Sequence, residues 1–321
     1  MNSTIILSII VVNFETPEYT LGCLRSVFAH APACSFEVIL IDNGSRDDSL
    51  LRIREEIPQV IGIETGENIG FSRANNLGIS NARGEFILLL NSDTLVLDKS
   101  LDRMVEYLFA DPKVGAVGPK QVDAEGRLQL SWGVFPTFFS ELLRKVLHYR
   151  LSINDFKVRE YLEGKFSGQA RVDWVSGSCL MMRRSVLNQT GFLDPHFFMY
   201  FEDIDLCRRI QDKGWQVHFS SDMSILHYGG VSAKKNLLKV LVEYRHSQIY
   251  FARKYYGLSG VFALKLFLFI KYSIYFVRWT VAYMVFLLAG GDKKSIFIKL
   301  LLCKKTIELI FSPERPVRQS L

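Results

Sequence analysis

Short apolar runs alternate with amphipathic stretches along the first 120 residues, the pattern of a parallel sheet whose strands are joined by crossover helices. Ile5 to Val12 predicts a buried first strand, followed by a helix with Thr16 as N-cap, Pro17 at its first position, and Leu21, Leu24, Val27 and Phe28 on one face. Val38 to Ile41 predicts a second strand that runs into the turn composition Asp42-Asn43-Gly44-Ser45, and then a helix burying Leu50, Ile53 and Ile57. A short strand over Ile61 to Glu64 precedes a third helix from Ser72 to Ala82, closed by Gly84. Phe86 to Leu90 is an apolar strand ending in Asn91-Ser92-Asp93. A helix with Leu101, Met104, Val105 and Leu108 on one face and a strand from Val114 to Gly118 come next.

Residues 120 to 170 mix aromatics and charges without a clean period and are assigned to an insertion over the site. Beyond it, Val172 to Arg183 reads as a strand, Ile204 to Lys213 as a helix ended by Gly214, Trp215 to Phe219 as a last short strand, and Asn236 to Tyr256 as a helix. From Leu258 to Gly291 the chain is almost wholly apolar, interrupted by Lys265, Lys271 and Arg278. A spanning helix needs about 20 apolar residues, and a charge at mid-bilayer costs about 2.5 to 3.5 kcal/mol on insertion scales. Lys271 and Arg278, two helical turns apart, share a face suited to phosphate headgroups. The segment therefore predicts an interfacial helix or helical hairpin ahead of a single span, with an oligomer or domain interface as the third reading. Two domains are expected, an α/β domain over residues 1–256 and a basic, apolar helical tail that associates with membrane over 257–321.

Composition, at 49% hydrophobic and 22% charged residues, excludes a disordered chain. Charge changes the picture more. The tail from Leu258 holds ten Lys/Arg against three acids, a net of +7, so the body carries −1 and the overall +6 gives no support to nucleic-acid binding. Five scattered cysteines with no Cys-x-x-Cys pair suggest neither a disulfide framework nor a thiolate zinc site, and favour a reducing compartment. The first apolar run lacks a basic leader and a cleavage site, so it reads as a strand and not as a signal peptide.

Three acidic clusters fall at or near predicted strand ends, where open parallel sheets bind ligands. Asp42 follows the second strand, Asp93 the fourth, and Glu202-Asp203-Ile204-Asp205 opens a helix after the aromatic run Phe197-Phe198-Met199-Tyr200-Phe201. Alone, Asp42 is a turn or cap residue, and Asp203 and Asp205 are first-turn acids favoured by the helix dipole. Order and company give them more. The pieces Ser8 to Asn13, Ile41-Asp42-Asn43-Gly44-Ser45, Asn68 to Asn76, Leu90-Asn91-Ser92-Asp93, Trp174 to Cys179 and Glu202 to Leu206 together resemble family 2 glycosyltransferases, closest to the branch containing rhamnosyltransferases of bacterial surface polysaccharides. The resemblance covers about residues 5 to 256.

It implies the GT-A fold, a Rossmann-like, mostly parallel α/β sheet flanked by helices, and an inverting transfer of a sugar from a nucleotide diphosphate-sugar. Asp42 would hydrogen-bond the N3–H of uracil or thymine, with Asn13 and its backbone holding the nucleoside. Asn91-Ser92-Asp93 stands where the family has Asp-x-Asp; Asn91 departs from it, leaving Asp93 and the diphosphate oxygens to hold Mg2+ or Mn2+. His227 matches a histidine that completes the metal site, or is an ordinary packed histidine. Asp203 would be the general base, Glu202 the weaker candidate, and Asp205 a support for the helix start or for acceptor hydroxyls. Arg73 is a diphosphate or sugar contact or a solvated helix residue, and Trp174 with Gly177 lines the acceptor pocket, unless Trp174 is core. Arg245 and Lys254 face a lipid-linked diphosphate or, more simply, solvent. The acceptor would be lipid-linked or polysaccharide, met at the cytoplasmic face of the membrane. A nucleotidyltransferase would need a Gly-rich basic N-terminal loop, a dehydrogenase a Gly-x-Gly turn after the first strand, and a non-catalytic glycan-binding descendant would have lost Asp203 or Asp93; none of these fits.

Overall fold

Each apolar run before residue 120 forms a strand. The elements are β1 (Leu7–Asn13), α1 (Pro17–Ala29), β2 (Phe36–Asp42), α2 (Ser49–Glu56), β3 (Ile61–Glu64), α3 (Phe71–Asn81), β4 (Phe86–Asn91), β5 (Thr94–Val96), α4 (Ser100–Ala110) and β6 (Val114–Val122). The structure is a computed structural model that describes residues 4–230, 237–289 and 293–312. Thr16 occupies the N-cap position of α1, but its side chain makes no capping bond; the hydroxyl faces Asn13 Oδ1 instead, at 3.4 Å.

The second half continues with β7 (Leu128–Gln129), β8 (Trp132–Gly133), α5 (Phe138–Ser152), α6 (Phe156–Lys165), β9 (Gln169–Arg171), β10 (Trp174–Val175), β11 (Cys179–Arg183), α7 (Arg184–Thr190), α8 (Glu202–Asp212), β12 (Gln216–His227), α9 (Leu237–Ala289) and α10 (Lys293–Phe311). The main sheet runs β3-β2-β1-β4-β11-β6-β12-β5, with β7 on β6 and β9 on β12. It is mixed. β3, β2, β1 and β4 are parallel neighbours, β11 is antiparallel to both β4 and β6, and β12 is parallel to β6. Strands β1, β2, β4, β6 and β12 therefore share one direction, and their carboxyl ends form one edge. Beneath it, Ile9, Val11, Leu40, Leu88, Leu90, Leu24 and Met104 pack into a core closed to solvent.

The structure corrects three expectations about elements. Val172 to Arg183 is not one strand: Ser176-Gly177-Ser178 breaks it, so β10 pairs with β8 in a separate two-stranded sheet while β11 enters the main sheet. The last strand, β12, reaches His227 and is far longer than its apolar start. Within 120–170 lie two helices, α5 capped by Thr137 and α6 capped by Asp155. Their period is hidden because α5 carries apolar side chains on both sides: Leu151 is buried, while Phe139, Leu142, Leu143, Val146 and Tyr149 face outward.

The chain divides into two compact units, Met1–Asp194 with Glu202–Ser232, and Pro195–Phe201 with Ala233–Leu321. In the second, α9 bends at Gly257, whose φ of 65° is a left-handed conformation that glycine adopts without steric cost. On both sides of the bend α9 packs against α10: Ile249, Ala252 and Val261 meet Leu309, and Leu268 and Tyr272 meet Cys303 and Ile310. Lys299 lies 4.1 Å over the Trp279 ring. By length and composition α9 can cross a membrane, and Phe262, Ile270, Ile274, Val277, Val281 and Met284 stand exposed along it. Arg245 neither faces solvent nor is free for a diphosphate; it is buried, donating to Gln248 Oε1 at 2.6 Å and to the Tyr272 hydroxyl at 3.0 Å. Asn236, Gly290, Gly291, Asp292 and residues 313–321, which include Arg315 and Arg318, lie outside the described residues.

Candidate active site

The sheet register gathers three polar residues at the strand ends. Asn13, Asp42 and Asn91 are the last residues of three adjacent parallel strands, with Asn13 beside Asp42 and Val12 beside Asn91. Strand ends of this kind are where an α/β sheet leaves a crevice. Asp42 is 6% exposed, and its Oδ1 accepts from Asn13 Nδ2 at 2.8 Å and from Ser45 Oγ at 2.6 Å, while Oδ2 accepts the Ser45 backbone N–H at 3.1 Å. Gly44 makes this turn possible: its φ is 75°, and a Cβ there would lie 2.3 Å from the Glu67 carbonyl carbon. Asn43 ties the turn to the start of α3, accepting the Ile69 N–H at 3.0 Å. Arg73 sits in the first turn of α3, partly buried.

Asn13 requires a correction. Its side chain is wholly enclosed, with Nδ2 on Asp42 and Ser45 and Oδ1 accepting from Thr20 Oγ1 at 2.7 Å, so it orients Asp42 and cannot itself touch a nucleoside.

Asp93 and His227 come together across the pairing of β5 with β12, where His227 is opposite Thr94. His227 Nε2 lies 3.3 Å from Asp93 Oδ1, and the Tyr228 N–H donates to the Asp93 carbonyl at 2.9 Å. Nε2 of His227 and Oδ1 of Asn91 are buried without a hydrogen-bond partner. Orphaned buried polar atoms are rare in a folded chain and call for a ligand or ion. A divalent cation fits these atoms, because carboxylate and amide oxygens ligate Mg2+ or Mn2+ and a neutral imidazole nitrogen is a common metal ligand. Among the described residues no group of three or more His, Cys, Asp or Glu is assembled, so most of the coordination would come from elsewhere.

On the other side of β4, the turn before β11 positions the acid cluster. Asn91 N–H donates to the Ser178 carbonyl at 2.9 Å, which pins this turn to the strand end. The Gly177 N–H in turn donates to Asp203 Oδ2 at 2.9 Å, and the Ile204 N–H donates to Asp203 Oδ1 at 2.8 Å. Gly177 is thus a holder of Asp203; a Cβ on it would come within 3.3 Å of the Asp203 Cβ. Burial raises the Asp203 pKa above the ordinary carboxylate value, while these backbone donors and the nearby Arg144 charge act in the opposite direction. A carboxylate with two backbone anchors, a raised proton affinity and a partly open face can accept a proton.

The remaining acids do different work. Glu202 is 5% exposed, its Oε2 has no partner, and burial together with the Asp203 charge pushes its pKa well above the usual range. Both effects favour its protonated form, so it suits the role of base less well than Asp203. Asp205 is fully buried and paired with Arg209 at 2.8 Å, one helical turn on, so it braces α8 and is closed to an acceptor. Trp174 is 5% exposed, packs against Gly133, and donates its indole N–H to the Val134 carbonyl at 2.8 Å. It is a core residue and does not stack on a sugar. Arg144 and Gln129, from the stretch without a readable period, escaped the sequence analysis; no motif marks either one.

The model of glycosyl transferase family 2 matches residues 8–205. The N-acetylglucosaminyl-diphospho-decaprenol L-rhamnosyltransferase of Mycobacterium tuberculosis is 28% identical over 258 residues, covering 74% of this chain and 84% of that protein. Rhamnosyltransferase WbbL of Escherichia coli K12 is 26% identical over 230 residues, covering 68% and 82%. Among solved structures, the mannosyltransferase PcManGT of Pyrobaculum calidifontis with GDP-Man and Mn2+ superposes with a TM-score of 0.51 at 16% identity, covering 94% of this chain and 70% of that one. GalNAc-T7 with UDP, GalNAc and Mn2+ gives a TM-score of 0.52 at 17% identity over 70% of this chain, which spans only 43% of that longer protein. These two likenesses bear on the fold, and the mixed sheet is that of their GT-A domains. With the family model spanning the strand ends, the Asp93 turn and the acid cluster, the chain belongs to glycosyl transferase family 2 and is a glycosyltransferase.

Proposed function

We propose that the chain transfers rhamnose from dTDP-rhamnose, with inversion, to a lipid-linked or polysaccharide acceptor during synthesis of a cell-envelope glycan. The observation that carries this reading is Asp203, held at the end of β4 by Gly177 and raised in proton affinity by burial, on the same sheet edge as Asp42 and Asp93. Likeness to two rhamnosyltransferases, one of them acting on a decaprenol diphosphate by its name, supports the sugar and the acceptor class.

In this reading the base of the nucleotide meets Asp42, whose carboxylate is aimed by Asn13 and Ser45. Arg73 approaches the diphosphate or the sugar. Asn91, Asp93 and His227 would hold the Mg2+ or Mn2+, which when bound stabilises the charge that builds on the departing diphosphate. The acceptor hydroxyl, on the opposite face of the sugar, gives its proton to Asp203 as its oxygen attacks C1; the C1–O bond to the nucleotide diphosphate breaks in the same displacement. Exposed apolar residues on α9 and the basic excess of the tail support attachment at the cytoplasmic face of a membrane, as an interfacial hairpin or one span.

Asp42 pairs with uracil as readily as with thymine, so a UDP-sugar is the competing donor. Incubating the full chain and Mn2+ with a polyprenyl-diphosphate-sugar and, in parallel, dTDP-rhamnose or UDP-hexoses should release dTDP fastest. Faster release of UDP would overturn the donor assignment.

A further inference from the structure

The partnerless Nε2 of His227 has a cause on the opposite side of its ring. Gln129, the last residue of β7, donates from Nε2 to the His227 backbone carbonyl at 2.8 Å and places Oε1 3.0 Å from His227 Nδ1. The amide cannot be reversed without setting its oxygen against that carbonyl oxygen, so its orientation follows from the backbone. Oε1 can only accept. Nδ1 of His227 must then carry the ring proton, and in the neutral ring Nε2 is left as a bare lone pair 3.3 Å from Asp93 Oδ1. Two acceptors with no hydrogen between them repel unless a cation joins them.

Gln129 is itself well placed for this. It pairs with Gln121 across β6 and β7, and so belongs to the main sheet as β12 does. One side chain thereby fixes the ring's tautomer and clamps the backbone of the same residue.

We infer that Gln129 is the positioning residue that sets His227 in its metal-ligating tautomer; this rests on the cation site proposed above. Groups that hold the far nitrogen of a ligating histidine change metal affinity by about 10- to 100-fold when removed.

The test uses full chain in detergent, with Mn2+ alone as the probe, read as loss of the free Mn2+ electron paramagnetic resonance signal. Gln129→Leu should weaken Mn2+ binding at least about tenfold. Gln129→Glu, which still accepts from Nδ1, should stay within about tenfold of wild type. In parallel, nitrogen-15 spectra of histidine-labelled protein, compared with His227→Ala to assign the ring, should show the His227 proton on Nδ1 in wild type and redistributed in Gln129→Leu. Unchanged Mn2+ binding in Gln129→Leu while His227→Ala weakens it, or a wild-type ring protonated on Nε2, would overturn the role of Gln129. If His227→Ala binds Mn2+ as wild type does, it is the cation site that fails. Matching circular dichroism and melting curves separate these outcomes from misfolding.

Discussion

Asp203→Asn should lower turnover at least about 100-fold while leaving the fold and donor binding in place, as expected for loss of a general base. The variant is isosteric, and its side-chain oxygen can still accept from Gly177 or Ile204, whose N–H groups lie 2.9 and 2.8 Å from the carboxylate. What it loses is the capacity to take a proton. The same argument fixes the sign of the pH dependence. Asp203 must be ionised to act, and burial raises its pKa, so wild-type kcat should fall as pH drops, with the acid limb above the ordinary aspartate value of about 3.9. Asp203→Asn should lack that limb. Full turnover in the variant, or a limb unchanged by it, would place the base elsewhere.

Arg209→Met should cost about 3 to 5 kcal/mol of stability, the range for breaking a buried ion pair by removing one partner. Asp205 has no solvent exposure, and Arg209 Nε is 2.8 Å from its Oδ2. The same guanidinium donates to the Thr190 and Phe192 carbonyls, both at 2.7 Å, so it also joins α8 to the chain after α7. Methionine fills similar space but takes this cation from the buried Asp205 and this donor from the two carbonyls. In a unit of this size the melting temperature should fall on the order of 10 °C. A shift within a degree or two would show that Asp205 is adequately paired by other groups.

The strand-end part of the site was legible in the sequence because its residues sit where apolar strands stop. Asp42, Asn91 and Asp93 each follow a run that is almost wholly apolar, and the parallel register then places them on one edge without further information. The pairing of Asp93 with His227 was not visible from spacing, since 134 positions separate them and the antiparallel contact of β5 with β12 brings them together. Roles were less legible than positions. Asn13 and Asp205 are polar residues at site-like places, yet burial and saturated hydrogen bonds turn both into supports. Trp174 stands in what reads as one strand, and the break at Gly177 is what moves it into a core. Arg144 lies on α5, where apolar side chains point both inward and outward, and Gln129 ends a two-residue strand too short to show a period.

A single displacement with Asp203 as base has one unavoidable product. The most direct measurement is the anomeric configuration of the new linkage, read by nuclear magnetic resonance of glycan formed by the full chain from a nucleotide-sugar of known configuration. The account predicts complete inversion, one nucleoside diphosphate released per linkage formed. Retention of configuration would require a different mechanism and contradict it.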